Sequence, residues 1–251
     1  MRVKVVFLGV GEACDENLSN TSILIQYKSR LLIDCGYSVP QNMWRYLKKG
    51  KGKEKVREDF PDGIYISHLH GDHYFGLPFV LLRRWEMKCK DPLYIICRPE
   101  MKEDIQSVLR LAYKSIYPDL RYEFLEVTNK TKFKEFCIEI ARSGHRESNY
   151  SIKVTVDNKT IAYSGDGGMT EQTRKLFNGC DLLIHESYFL KTEGANHENV
   201  KNLIEYCKNG EVKRLALVHL GRKERGKISK YISKQKNLPI FLPKTFQEFS
   251  L

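Results

Sequence analysis

Residues 68–73 read HLHGDH and place three imidazoles and one carboxylate within six positions. The 251-residue chain has only seven histidines, so this stretch concentrates an uncommon residue. A short apolar run, GIYIS at residues 63–67, stops immediately before it, and helical spacing of apolar residues begins at residue 76. The pattern therefore predicts that HLHGDH connects a strand to a helix.

The spacing of these side chains is typical of a metal site. His68 and His70 are two positions apart, so on an extended segment they leave the same face and can reach one ion. Asp72 and His73 follow at the turn into the helix and are directed at a second position. Imidazole and carboxylate ligands favour zinc, with manganese, iron or nickel as alternatives. Four side chains cannot fill two metal sites, so a binuclear site needs ligands from later segments.

Further candidate ligands come later in the chain, each just after a predicted strand. They are His145 in SGHRES, Asp166 in YSGDGG and His219 in LVHLG. Each alone is weak support for a metal site, because histidines at strand ends are often structural. If the strands place them at the same edge as HLHGDH, all of these side chains form one set.

The rest of the chain predicts two sheets packed face to face with helices outside each. Period-two runs at residues 3–7, 23–27 and 31–33 predict an opening meander. Asp157 and Asn158 predict a tight hairpin, and residues 224–236 predict a basic helix. No compositional boundary divides the sequence, so we expect a single α/β domain over residues 1–251. The seven cysteines form no C-x-x-C pair and are expected to be buried thiols.

The net charge of +11, from 42 Lys and Arg against 31 Asp and Glu, favours a polyanionic partner such as a nucleic acid. Two basic clusters, at residues 45–58 and 221–230, are candidates for this contact or are simply solvated surface. The amino terminus alternates like a strand rather than a signal peptide, and the longest apolar stretch, residues 75–82, is too short for a bilayer. We therefore expect a cytoplasmic protein with no membrane segment.

The ordered series HxHxDH, His145, Asp166 and His219 resembles the metal-binding motifs of the metallo-β-lactamase fold hydrolases over nearly the whole chain. The flanking residues look most like ribonuclease Z, the endonuclease that matures tRNA 3′ ends. The stretches that carry this resemblance are FLGVGEAC (residues 7–14), LLIDCG (31–36), SHLHGDHYFGLP (67–78) and DLLIHESYF (181–189).

The resemblance implies a four-layer αββα sandwich, two mixed sheets with helices on the outer faces, and two divalent metal ions at the sheet edge. It assigns His68, His70 and His145 to one metal. It assigns Asp72, His73 and His219 to the other, with Asp166 bridging. Such a centre hydrolyses a phosphodiester by a metal-bound hydroxide, which Asp72 would orient. Relatives of this type are commonly dimers, so a homodimer is a further expectation.

Ribonuclease Z-like enzymes protonate the leaving alkoxide with a Glu–His pair, and here Glu186 and His197 fall in those places. A carboxylate behind an imidazole raises its basicity and fixes its tautomer, as a general acid requires. His197 is therefore a catalytic candidate, with capping of the following helix as the alternative. The remaining histidine, His185, points away from Glu186 on a strand and is expected to be structural.

The sequence also departs from ribonuclease Z. Only twenty residues separate His145 from Asp166, so the long arm that grips tRNA is missing. Glu198 and Asn199 replace the Ser-Thr that usually follows the histidine, and Gly167 stands where threonine is expected. Arg222 and Lys223, which follow His219 closely, are candidates for contact with a phosphate of the substrate.

Three functions stay open on these grounds. The first is a ribonuclease Z-like hydrolase acting on RNA. The second is a phosphodiesterase for a small or cyclic nucleotide, or a hydrolase of another small-molecule ester. The third is an RNA-binding protein with a non-catalytic metal site. Because all seven metal-ligand positions are filled, the sequence favours an enzyme. The basic loop at residues 45–57 either substitutes for the missing arm or is an ordinary solvated loop.

Overall fold

Two mixed β-sheets packed face to face form the centre of the molecule. The computed structural model describes residues 1–49, 60–191, 196–208, 212–235 and 239–251. The strands of the described residues are β1 (Lys4–Gly9), β2 (Ser22–Gln26), β3 (Arg30–Ile33), β4 (Gly63–Tyr65), β5 (Leu93–Cys97), β6 (Tyr122–Glu126), β7 (Lys130–Phe133), β8 (Phe136–Arg142), β9 (Tyr150–Val156), β10 (Lys159–Tyr163), β11 (Leu182–Glu186), β12 (Leu215–Val218), β13 (Ile240–Phe241) and β14 (Glu248–Ser250).

The first sheet has the strand order β14-β1-β2-β3-β4-β5-β6. Each strand is antiparallel to the next from β14 through β1 and β2 to β3, as expected for a meander. From β3 through β4 and β5 to β6, neighbouring strands are parallel. Both faces of the opening strand are covered, because Val5 and Phe7 face the other sheet while Val6 and Leu8 face the helices. This explains why KVVFLG is apolar almost throughout instead of alternating with polar residues.

The second sheet has the order β13-β12-β11-β10-β9-β8-β7, and in this order three parallel pairs are followed by three antiparallel pairs. Strands β9 and β10 are joined by a two-residue turn at Asp157 and Asn158. Both residues have positive φ, 49° and 58°, which matches the right-handed twist of a hairpin and favours Asp and Asn. The predicted hairpin is confirmed.

Helices cover the outer face of each sheet. They are α1 (Val39–Lys49), α2 (Gly71–Tyr74), α3 (Leu77–Glu86), α4 (Lys102–Ala112), α5 (Glu171–Phe177), α6 (Val200–Lys208) and α7 (Arg225–Ile232). Met43, Leu81 and Ile105 of α1, α3 and α4 pack on the first sheet, while Leu203 and Ile228 of α6 and α7 pack on the second. The predicted fold class, a four-layer αββα sandwich, is confirmed.

Several sequence expectations need correction. The basic helix expected over residues 224–236 covers only α7, because Ser233 and Lys234 form a turn and residue 236 lies outside the described residues. Helix α5 and the terminal strands β13 and β14 were not expected, since each is too short to show a clear period. Most of the basic loop at residues 45–57 also lies outside the described residues.

The seven cysteines, expected to be buried thiols, differ in their exposure. Cys35, Cys97, Cys180 and Cys207 are buried as expected. Cys89 and Cys137 are only half-buried, and Cys14 is exposed because it lies in the loop that follows β1.

Within the described ranges, no helix is both long enough and apolar enough to cross a membrane.

Candidate metal centre

The candidate ligands lie at one edge of the sandwich because each follows the end of a strand. HLHGDH leaves β4 and enters the short helix α2, as the sequence predicts. His145 follows β8, Asp166 follows β10 and His219 follows β12. Since β10 and β12 run in the same direction in the second sheet, their carboxyl ends meet at this edge. The fold thus brings all seven predicted ligands together.

The seven side chains divide into two groups that share Asp166 as a neighbour. Within each group the candidate ligand atoms lie within 4.8 Å of one another. One group is His68, His70 and His145, and the other is Asp72, His73 and His219. The set His68, His73 and Asp166 meets the same distance limit. These are the two sets that the resemblance implies. Their binding of metal stays a prediction.

The two carboxylate oxygens of Asp166 face different groups. Oδ2 lies 3.9 Å from Nε2 of His68. Oδ1 lies 3.5 Å from Nε2 of His73 and 3.6 Å from Nε2 of His219. A carboxylate that presents one oxygen to each group has the geometry required of a bridging ligand.

Several buried polar atoms at the centre need a partner that the protein does not supply. In the part of the chain that the structure describes, Nε2 of His68, Nδ1 of His145 and Oδ1 of Asp166 have no hydrogen-bond partner. Leaving such atoms buried and unsatisfied is costly, whereas a cation bound in each group would satisfy them. The residues therefore fit divalent metal ions.

Burial and charge set opposite protonation tendencies in the two groups. Burial holds the pKa of His68 well below its usual value, with a smaller contribution from His73, and burial also lowers the pKa of His145. Burial acts against protonation of His219, but the nearby carboxylates, Asp166 foremost, outweigh it and raise the pKa to about 9. Burial likewise opposes ionisation of Asp166, yet His219 and His73 hold its pKa below the usual range. The lowered pKa values favour an ionised Asp166 and neutral imidazoles at His68 and His145, as metal ligation requires.

A buried network behind the centre, which the sequence analysis did not identify, fixes two of the imidazoles. Nδ1 of His73 donates a 2.7 Å hydrogen bond to Oδ2 of Asp34. The hydroxyl of Ser67 donates to the same oxygen at 2.7 Å and accepts from Nδ1 of His68 at 3.0 Å. Both imidazoles therefore present Nε2 to the metal position, as outer hydrogen bonds do in known metal sites. Asp34 lies in the quoted LLIDCG motif, and its strand-end position was the available signal.

The predicted Glu–His pair forms at one side of the centre. Nδ1 of His197 lies 3.1 Å from Oε1 of Glu186, which is fully buried. Burial lowers the pKa of His197, but the hydrogen bond and charge of Glu186 outweigh it and raise this pKa above its usual value. The His197 ring centroid lies 5.6 Å from that of His145 and 5.9 Å from that of His219. The pair is thus adjacent to both groups, while its catalytic role stays a prediction.

Tyr188 is a further neighbour of this pair that the sequence analysis missed. Its ring stacks on His197 with centroids 4.8 Å apart and planes 23° from parallel. Its backbone N–H donates to Oε2 of Glu186 at 3.0 Å. The general-acid candidate is therefore fixed by stacking as well as by its hydrogen bond.

One departure from the family pattern, Gly167, has a structural explanation. Gly167 has φ +102°, and a Cβ there would lie 2.7 Å from Cβ of His145, so a threonine would displace a predicted ligand.

Arg222, which the sequence analysis proposed as a phosphate contact, pairs with the protein itself. Its Nε lies 2.5 Å from Oε1 of Glu12, and a terminal nitrogen donates a 3.0 Å hydrogen bond to the Cys14 carbonyl. The guanidinium thus holds the loop after β1, and its phosphate contact stays a prediction, as does that of the exposed Lys223.

His185 lies apart from the centre, as expected. It is buried, and its Nδ1 donates a 2.7 Å hydrogen bond to the carbonyl oxygen of Glu186. The prediction of a structural, hydrogen-bonded histidine is confirmed.

Comparison with known proteins agrees with this architecture. Ribonuclease Z of Thermococcus onnurineus is 26% identical over 97% of this chain and 93% of its own length. The metallo-β-lactamase fold protein YhfI of Bacillus subtilis superposes with a TM-score of 0.82 at 18% identity over 100% of both chains. The short form of human tRNase Z gives a TM-score of 0.77 at 21% identity over 98% of both chains.

These likenesses establish the metallo-β-lactamase fold and a similarity to ribonuclease Z. A family model described as anti-Pycsar protein Apyc1 matches residues 3–237, nearly the whole chain and every residue of the candidate centre. The chain therefore belongs to the anti-Pycsar protein Apyc1 family.

Proposed function

We propose that this protein is a metal-dependent phosphodiesterase. The observation that carries the proposal is the Glu186–His197 pair beside the two ligand groups. The groups would hold two divalent ions, most simply zinc because histidine supplies most of the ligands. The similarity to ribonuclease Z supports a phosphodiester as the bond that is cleaved.

If the two groups hold divalent ions, the ions would supply an activated water and would neutralise charge that develops on the phosphoryl oxygens. The protein's own residues would do the rest. Asp72, whose Oδ2 lies 3.2 Å from Nε2 of His73 and 3.3 Å from Nε2 of His219, is placed to orient the attacking water. Its ionised form is maintained because, although burial opposes ionisation, hydrogen bonds from His219 and His73 hold its pKa below the usual range.

His197 would deliver a proton to the leaving alkoxide. Its raised pKa favours the protonated ring, and Glu186 fixes the tautomer by accepting from Nδ1. The opposite nitrogen, Nε2, is then the donor available to the substrate. The carboxylate of Glu186 is itself held in place, since it also accepts hydrogen bonds from the backbone N–H groups of Gly167, Tyr188 and Glu198.

The geometry favours a small or cyclic nucleotide as the substrate. Between His145 and Asp166 the chain forms only the β9–β10 hairpin, closed by a two-residue turn. No gripping arm is therefore built from the described residues of this segment. RNA is the second candidate, supported by the similarity to ribonuclease Z and by the net charge of +11.

The test begins with metal analysis of the purified protein and hydrolysis of a bis(4-nitrophenyl) phosphodiester. We expect about two ions per chain and loss of hydrolysis in Asp72→Ala. Asp119→Ala, which removes an exposed carboxylate, is the matched control and should keep the activity. Hydrolysis that survives both Asp72→Ala and removal of metal by a chelator would contradict the proposal.

The two substrates are separated by comparing cleavage of a tRNA precursor with cleavage of cyclic nucleotides. Hydrolysis of cyclic nucleotides at a rate insensitive to salt, without cleavage of the precursor, supports the small substrate. Cleavage of the precursor that falls steeply with salt supports RNA, because contacts to many phosphates release counterions.

A homodimer is a further proposal. Phe75 and Phe79 lie next to the HLHGDH segment and expose 45% and 50% of their surface. Aromatic residues are enriched at protein–protein interfaces relative to the rest of a protein surface. We expect sedimentation to give twice the chain mass, and Phe79→Ser to weaken the dimer. Glu171→Ser, on an exposed turn of α5, should leave the mass unchanged, and a monomeric wild type would contradict the proposal.

A further inference from the structure

A second buried carboxylate, Glu198, lies next to His197 in the sequence and exposes only 5% of its surface. Its Oε2 accepts a 2.8 Å hydrogen bond from the backbone N–H of Met169. Its Oε1 accepts from the backbone N–H of Asn199 at 2.9 Å and from Nδ2 of Asn202 at 3.2 Å. The carboxylate is thus satisfied by amide groups and joins two separate segments of the chain.

The two segments that Glu198 joins are those that carry the chemistry. Residues 165–169 carry Asp166, and residues 196–199 carry His197. Glu186 crosses between the same segments, because its Oε1 accepts from the backbone N–H groups of Gly167 and Glu198. Two buried carboxylates therefore tie the loop of the candidate bridging ligand to the loop of the candidate general acid.

We propose that Glu198 is a positioning residue that fixes the distance of His197 from the leaving oxygen of the substrate. This inference rests on the proposed function. Serine, which the family resemblance places at this position, has one oxygen and a shorter side chain. It cannot accept from Met169 and Asn199 with separate oxygens, so the glutamate creates a tie that the usual residue does not.

The expected consequence is specific to the leaving group. A proton donor matters for an alkoxide, which is a poor leaving group, and matters little for 4-nitrophenolate, which leaves as a stable anion. Loosening the loop of His197 should therefore slow alkyl ester cleavage much more than aryl ester cleavage. A general loss of folding or metal would instead slow both equally.

The experiment uses Glu198→Gln and Glu198→Ala in the full chain. Glutamine keeps one acceptor oxygen at nearly the same volume, whereas alanine removes both. We expect kcat/KM for a nucleotide ester with an alkoxide leaving group to fall at least tenfold in Glu198→Ala and less in Glu198→Gln. The 4-nitrophenyl ester should change less than threefold. Glu205→Gln, on the exposed face of α6, is the matched control.

A second measurement does not depend on activity. In metal-free protein labelled with ¹⁵N, we expect Glu198→Ala to speed hydrogen exchange at the Met169 amide at least tenfold and to shift the imidazole nitrogen signals of His197. An unchanged His197 signal, or an equal loss of both ester activities, would overturn the inference. Wild-type protein that cleaves neither ester would overturn the proposed function, while the His197 signal would still decide whether Glu198 positions that ring.

Discussion

The carboxylate of Asp34 accepts a 2.7 Å hydrogen bond from Nδ1 of His73, a residue 39 positions later in the chain. The same carboxylate accepts from the backbone N–H of Ser67 at 2.8 Å and from its hydroxyl at 2.7 Å. Asp34 directly follows β3, and Ser67 lies just beyond the parallel neighbour β4. The pairing of these strands therefore fixes how HLHGDH presents its imidazoles.

Asp34→Asn should weaken metal binding. Asparagine offers one acceptor oxygen, so its NH₂ group would face a donor from Ser67 or His73. Losing such an outer hydrogen bond typically lowers metal affinity about 10- to 100-fold. Competition with a chromophoric chelator measures the change. Asp119→Asn, on the exposed surface, is the control, and equal metal affinities in the two variants would show that Asp34 does not orient the ligands.

The two ligand groups should lose metal differently. His70 belongs to one group only, so His70→Ala is expected to retain about one ion per chain. Asp166 presents one oxygen to each group, so Asp166→Ala should weaken both positions. Elemental analysis after dialysis gives the stoichiometry. Retention of two tightly held ions by Asp166→Ala would rule out a bridging role.

Gly36→Ala should destabilise the fold near the centre. An added Cβ would overlap the carbonyl oxygen of Asp72 and would lie 2.8 Å from Cβ of Asn20, so packed backbone would have to move. Overpacking of this kind typically costs about 1–3 kcal/mol. Thermal unfolding of the metal-free protein measures it. Gly226→Ala in α7 is the matched control, since nothing lies within 4 Å and alanine favours the helix by up to about 1 kcal/mol.

Asp181→Asn should lower stability at neutral pH but not in acid. Burial opposes ionisation of Asp181, but hydrogen bonds from Lys213 and Thr160 hold its pKa below the usual value. A carboxyl group with a lowered folded-state pKa contributes stability above its unfolded-state pKa, and this stability is lost as pH falls through the folded-state pKa. We expect a loss of about 1–2 kcal/mol at pH 7.

Chemical denaturation of both proteins across acid pH tests this prediction. The difference between wild type and Asp181→Asn should shrink as the solution becomes acidic. Asp157→Asn, in the exposed hairpin turn, should show little difference at any pH. A gap between Asp181→Asn and wild type that is constant with pH would mean that the charge of Asp181 does not stabilise the fold.

The layered fold could be predicted because the local signals were strong. Short apolar runs ended at His68, Asp166 and His219, and apolar helical spacing followed the first of these runs. Parallel strands place their carboxyl ends at one edge, which indicated that the strand-end side chains could gather there. Their division into two metal sets came from the resemblance to the metallo-β-lactamase fold hydrolases. Elements of two to seven residues, such as β13, β14 and α5, have too few positions to display a period.

By itself, the sequence determined the kinds of atoms that the centre contains and the strand ends from which they come, because residue identity and hydrophobic period are local properties. The tertiary structure alone decided their partners. It paired Asp34 with His73, placed Glu198 against Met169 and engaged Arg222 with Glu12. Each of these contacts joins segments that are distant in the chain. A hydrogen bond forms or is lost when the distance between donor and acceptor changes by a few tenths of an ångström, and no residue pattern encodes distances so finely.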